Sequence, residues 1–214
     1  MNQDVDIKIC GMTREEDVEL ALSLGANFLG FIVYPQSPRG ITLERAVALA
    51  ASVPAGQSVI VDVETAPDDL LRYRDAGFGR FQIHASLPIA EARVARWSEI
   101  VCRDRLWLAP RVAPTDVFPE SVLEYTDIVV LDTFSKDQVG GTGHTGDFAR
   151  FASLKHQYED TQWMLAGGLS PSNVLDALVH STASRIDVNS GVETAPGVKD
   201  PEKLRELFRV VRGA

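Results

Sequence analysis

Short apolar segments alternate with amphipathic ones eight times along this chain, at about 27 residues per unit. Residues 6–9, 27–33, 58–63, 80–83, 106–109, 127–131, 162–165 and 185–188 read as strands. The segments between them read as helices. Thr13 with Glu16 has the form of a capping box opening a helix through Leu24, and Thr42 caps a second through Ala51. Further helices are expected over 68–76, 88–97 and 147–156, with a weaker one over 119–125; Ser170-Pro171 and Asp200-Pro201 begin two more. Strict alternation implies parallel strands, each joined to the next by a helix. A doubly wound open sheet would show fewer units and a glycine fingerprint after its first strand, where this chain has Cys10-Gly11-Met12. The expected fold is therefore α/β, a compact (β/α)8 barrel formed as a single domain by residues 1–214. Such barrels place their chemistry at the carboxyl ends of the strands.

The bulk numbers exclude several functions. Acids outnumber Lys and Arg by 30 to 21, a net charge of −9, and no basic face for nucleic acid is visible. The arginines at 93, 96, 103 and 105 lie among acids and read as a solvated surface. There is no run long enough to span a membrane and no signal-peptide pattern, so a soluble, cytoplasmic protein is expected, with Cys10 and Cys102 reduced. Phe78, Trp97 and Phe118 either pack on the barrel or form an interface, which leaves monomer and homodimer both open.

Residues able to do chemistry fall at the expected strand ends. Cys10 follows the first strand and reads either as a small buried thiol or as a reactive one. Asp132 directly follows four apolar strand residues and precedes a loop, which places it at the barrel mouth. A thiol and a carboxylic acid on two rims of one barrel would make a base and an acid facing a substrate. Gly167-Gly168, Ser190-Gly191 and the loop Gly140-Gly141-Thr142-Gly143, with Gly141 and Gly143 as candidate contacts, sit where backbone N–H groups of barrels hold phosphate. A phosphorylated small molecule is the expected partner. Arg39, with no acid close in sequence, could grip a carboxylate in bidentate fashion. His84 reads equally as a substrate-orienting group or a satisfied core imidazole. The four histidines show no metal-site spacing, so no metal is expected.

In order along the chain, Lys8-Ile9-Cys10-Gly11-Met12-Thr13, Ser37-Pro38-Arg39, Gln82-Ile83-His84, Leu131-Asp132-Thr133, the glycine loop, Leu165-Ala166-Gly167-Gly168-Leu169 and Asp187-Val188-Asn189-Ser190-Gly191-Val192-Glu193 resemble the phosphoribosylanthranilate isomerase family of tryptophan biosynthesis. The resemblance implies a cofactor-free Amadori rearrangement. Asp132 would be the general acid, Cys10 the general base, and Arg39 the holder of the anthranilate carboxylate. Backbone at Gly141, Gly168, Ser190 and Gly191 would hold phosphate. The chain departs from the family pattern at Asp62 and Glu64, at Ala85-Ser86 after His84, and at His144 after the glycine loop. The first of these departures puts acids near a site for an anionic substrate. Together the departures motivate a related aldose–ketose isomerase acting on another phosphosugar; a third reading is a non-catalytic ligand-binding barrel. The segment 134–145 is expected to be a mobile lid.

Overall fold

The computed structural model describes residues 5–113, 115–132 and 147–213. The loop Gly140–Gly143, His144 and the segment read as a lid lie outside the described residues. Eight strands, β1 (Asp6–Ile9), β2 (Phe28–Ile32), β3 (Ser58–Val63), β4 (Arg80–Ser86), β5 (Leu106–Arg111), β6 (Ile128–Asp132), β7 (Gln162–Ala166) and β8 (Arg185–Val188), pair in parallel in chain order. The ring closes where β1 meets β8, with Lys8 level with Asp187. The fold is a (β/α)8 barrel.

Strand geometry sends alternate residues to opposite faces. Ile7, Ile9, Leu29, Phe31, Phe81, Ile83, Leu106, Leu108, Val129 and Leu131 join the apolar layer beneath the helices. The other parity fills the ring: Ile32, Val59, Val61, Trp107, Ala109, Ile128, Val130, Met164 and Ala166, together with Cys10. Phe28 meets Trp107 edge-on at 4.8 Å between ring centroids. Phe78, Trp97 and Phe118 are all buried, so they pack within the molecule.

Among the described residues, seven α-helices accompany the strands: α1 (Glu15–Ser23), α2 (Leu43–Ala50), α3 (Pro67–Asp75), α4 (Glu91–Val101), α5 (Phe148–Gln157), α6 (Val174–Ser181) and α7 (Pro201–Arg212). Thr42 caps α2 as its sequence predicts, accepting from the Arg45 N–H at 3.2 Å. Asp200 likewise accepts from the N–H groups of Glu202 and Lys203, with Pro201 in the first turn of α7. Four local expectations are corrected. Thr13 does not cap α1, because its hydroxyl donates to the Gly197 carbonyl instead. The fifth helix is a 3-10 turn, Glu120–Glu124, too short to close a stable α-helical turn. Strand β4 runs on to Ser86 because Ala85 and Ser86 still pair with Pro110 and Arg111, which delays α4 to Glu91. Helix α6 starts at Val174 and not at Ser170-Pro171. Asn173 bridges that turn, accepting from the Ser170 N–H at 2.8 Å and donating to the Gly168 carbonyl at 3.0 Å. A hairpin after β8, β9 (Glu193–Ala195) with β10 (Val198–Lys199), has no counterpart in the sequence reading.

Near the 3-10 turn, Trp163 fills the outer layer, with Phe118, Tyr158 and Phe151 packed around it at 5.3, 6.4 and 6.3 Å. Replacing Trp163 by Ala is expected to cost about 3–5 kcal/mol of unfolding free energy in a denaturant titration. Val179→Ser, at an exposed position of α6, should shift the same titration by less than about 0.5 kcal/mol.

Candidate active site

A cavity of about 710 Å³ opens at the carboxyl ends of the strands, and every one of the eight strands, or the loop after it, contributes to its wall. Cys10 reaches it because the ladder continues one residue past β1: its N–H donates to the Val188 carbonyl at 2.9 Å. It therefore keeps the inward parity of Lys8. The chain then turns at Gly11, whose φ of +74° few side chains tolerate and where a Cβ would meet Asn189 Oδ1 at 2.7 Å. Asp132 is the last residue of β6, exposed at the mouth and part of the same wall. The expected thiol and acid thus share one cavity with Arg39, His84, Gly168 and Ser190.

Arg39 already holds a carboxylate. Its Nε and Nη2 donate to Glu193 at 2.6 to 3.0 Å, a bidentate pair made across 154 positions of sequence. Glu193 also accepts from Lys199 Nζ at 2.9 Å and from the Gly197 N–H at 3.2 Å. Burial alone would raise the Glu193 carboxyl; the hydrogen bonds from Arg39 and Lys199 outweigh it and hold the group below its usual range. The β9–β10 hairpin thereby fixes the guanidinium at the cavity edge.

Deeper in, Lys8 Nζ donates to Asp187 Oδ2 at 2.7 Å with both side chains buried. Burial works against the Lys8 charge, but Asp187 and Cys10 together raise its pKa. For Cys10 the order is reversed: burial pushes the thiol up, Asp187 adds to that rise, and the ammonium groups of Lys8 and Lys199 offset it only in part, so the thiol stands above its usual range. Burial, with Lys8 adding to it, lowers His84 to about 4, so its imidazole is neutral near pH 7. Its Nε2 lies 3.1 Å from the amide nitrogen of Gln82, which gives the ring a polar partner inside the barrel. His84 is thus a neutral group lining the cavity.

On the far rim, Gly168 and Ser190 belong to the wall. Gly191 lies directly behind, where a Cβ would come 1.9 Å from the Leu169 carbonyl oxygen. Only glycine lets the loops after β7 and β8 approach this closely.

The departures from the family pattern separate into two places. Asp62 borders the cavity and accepts from Thr65 and Tyr73 hydroxyls at 3.0 and 3.1 Å; burial raises its pKa. Glu64 and Ser86 lie elsewhere. The Ser86 N–H donates to Glu64 Oε1 at 2.6 Å, Arg93 binds the other oxygen, and all three border a separate cleft of about 200 Å³ beside Trp97. The expectation that Glu64 adds an acid beside the main cavity is corrected.

Lys8, Gln82, Asp187, Glu193 and Lys199 escaped the sequence reading. The available signal was parity: Lys8, two residues before Cys10, and Asp187, two before Asn189, occupy inward positions. Among the described residues, no group of three or more His, Cys, Asp or Glu could hold a metal ion, and no helix is long and apolar enough to cross a membrane.

A family model described as N-(5'-phosphoribosyl)anthranilate isomerase matches residues 7–210. The isomerase of that name from Acinetobacter calcoaceticus is 32% identical over 211 residues, 96% of this chain and 95% of that protein. The crystal structure of TrpF from Jonesia denitrificans is 32% identical with a TM-score of 0.79, covering 98% of this chain and 97% of that one. A phosphoribosyl anthranilate isomerase in complex with reduced 1-(o-carboxyphenylamino)-1-deoxyribulose 5-phosphate is 27% identical, with a TM-score of 0.74 over 98% of this chain and all of that one.

The lowered pKa of His84 makes a prediction about acid stability. Between pH 6.5 and about 4 the unfolded chain binds a proton at this residue that the folded chain refuses. Stability is therefore highest above pH 6.5 and falls as the pH drops through that window. His84→Gln should remove this contribution. In urea titrations at pH 7.5 and 4.5, the variant should lose about 2–3 kcal/mol less than the wild type on acidification.

Proposed function

The chain belongs to the N-(5'-phosphoribosyl)anthranilate isomerase family, and from that premise we propose that it converts N-(5'-phosphoribosyl)anthranilate to 1-(2-carboxyphenylamino)-1-deoxyribulose 5-phosphate, with Asp132 as general acid and Cys10 as general base. The observation that carries this reading is the convergence of Cys10, Asp132 and Arg39 on one cavity. In the proposed sequence, Asp132 gives a proton to the furanose ring oxygen. The bond from that oxygen to C1′ breaks, its electron pair goes to the oxygen, and the anthranilate nitrogen forms a double bond to C1′. The Cys10 thiolate then takes the proton from C2′. The C–H pair becomes a C1′–C2′ double bond, and the C1′–N pair returns to nitrogen as an enolamine. A proton added at C1′ and another lost from the 2′-hydroxyl give the ketone. The substrate nitrogen is the electron sink, so the rearrangement is redox-neutral and needs no cofactor.

The arrangement suits a substrate with an anion at each end. Arg39, braced by Glu193, holds the anthranilate carboxylate. Backbone N–H groups of Gly168, Ser190 and Gly191 hold the phosphate; Gly141 and Gly143, outside the described residues, are carried as further phosphate contacts by family resemblance. Neutral His84 orients the sugar without adding charge. The alternative phosphosugar substrate loses part of its motive, because Glu64 and Ala85 border the separate cleft and not the main cavity; His144 lies outside the described residues. A cytoplasmic biosynthetic role follows from the family's pathway.

Turnover of freshly generated phosphoribosylanthranilate, read as loss of its fluorescence, is the direct test. The wild type should turn over, and Cys10→Ala and Asp132→Asn should each lower kcat by about 100- to 10,000-fold. Arg39→Ala should act chiefly by raising KM. A folded wild type without turnover, or variants that keep full activity, would sink the proposal.

A further inference from the structure

Resting on that reading of Cys10 as the base, we infer that Lys8 is the positioning residue that favours the thiolate form of Cys10, with Asp187 holding Lys8 in place beneath it. The geometry is set at Gly30 on the neighbouring strand. A Cβ there would lie 2.8 Å from Cys10 Sγ and 3.1 Å from Lys8 Nζ, so sulfur and ammonium share the space over one bare Cα. Lys8 is fully buried and Asp187 nearly so, and their 2.7 Å contact is the buried one of two side-chain bridges between the first and last strands, the other being Arg185 with Asp6 at the rim. A buried lysine without a carboxylate tends to shed its proton. Asp187 opposes that loss.

The charge balance around the sulfur points the same way. Among the described residues, Lys8 from β1, Asp187 from β8, Lys199 from β10 and Arg39 from the loop after β2 are the charged groups acting on Cys10. Lys199 and Arg39 share one carboxylate, Glu193, and Lys8 has Asp187. Three cations thus stand against two carboxylates. A thiolate at Cys10 brings the set to neutrality, whereas a neutral thiol leaves one buried positive charge uncompensated. Asp62 and Asp132 belong to β3 and β6, which are not neighbours of β1 in the ring, and His84 is neutral. Asp187 Oδ1 is buried with no hydrogen-bond partner among the described residues, so the carboxylate binds Lys8 through one oxygen only.

The test follows thiolate absorbance against pH in a Cys102→Ser background, with the Cys10→Ala protein as the blank. Lys8→Met should move the Cys10 midpoint up by about one pH unit or more. Because Lys8→Met leaves Asp187 buried and unpaired, Lys8→Met/Asp187→Asn is run beside it; that pair removes both charges and should give an upward shift of the same sign. The acidic limb of kcat/KM should move with the thiol midpoint. An unchanged midpoint in a cooperatively folding double variant would overturn the inference. The absorbance titration requires no substrate, so it decides the role of Lys8 separately from whether phosphoribosylanthranilate is turned over.

Discussion

A closed ring of strands has no edge, and each residue in it must point either into the ring or out toward the helices. That constraint governs this protein. Inward residues near the closed end are bulky and apolar, with Trp107 and Met164 among them, and they seal the floor. The inward positions nearer the mouth carry Cys10, Lys8, Gln82, His84 and Asp187. A polar group at such a position cannot escape to solvent past the strand, so each must find a partner inside the ring or face the cavity. Lys8 and Asp187 meet across the seam, Gln82 meets His84, and Cys10 and His84 line the cavity; Gln82 Oε1 and Asp187 Oδ1 stay buried without a partner among the described residues. Fold closure and site construction are here the same event.

The site is cationic inside an acidic molecule. Net charge is −9, yet Lys8, Lys199 and Arg39 all bear on the region around Cys10. The two carboxylates that accompany them brace them and leave one positive charge over: Glu193 fixes Arg39 through two hydrogen bonds to its Oε2 and one to its Oε1, and the hairpin residue Lys199 steadies Glu193 in turn. A guanidinium held this way loses little conformational freedom when a second carboxylate arrives at its remaining edge. Local field, not overall charge, matches an anionic substrate to this isomerase.

Much of this was legible in the linear sequence and some was not, for one physical reason. Strand periodicity is local, so eight strands, the ring they form, and the placement of Cys10 and Asp132 at strand ends could be read directly. The glycine pattern after β7 and β8 was also local. Contacts between residues far apart leave no such trace. Lys8 and Asp187 are separated by 179 positions and Arg39 and Glu193 by 154; neither pair is visible until the ring closes. Thr13 shows the same effect in reverse. Its spacing from Glu16 satisfies a local rule, but the Gly197 carbonyl, brought close by the hairpin, wins the hydroxyl.

The small cleft between β3 and β4 has an evolutionary consequence. Glu64, Ser86 and Arg93 bind one another there, and the Trp97 indole ties the same corner to the Thr65 carbonyl at 2.8 Å. Glu64 serves both the Ser86 N–H and Arg93, and none of the three lines the cavity around Cys10, so a change in the Glu64 or Arg93 side chain is met first within this corner. This corner of the rim can therefore drift, or be transplanted between relatives as a block, while the interior chemistry is inherited intact.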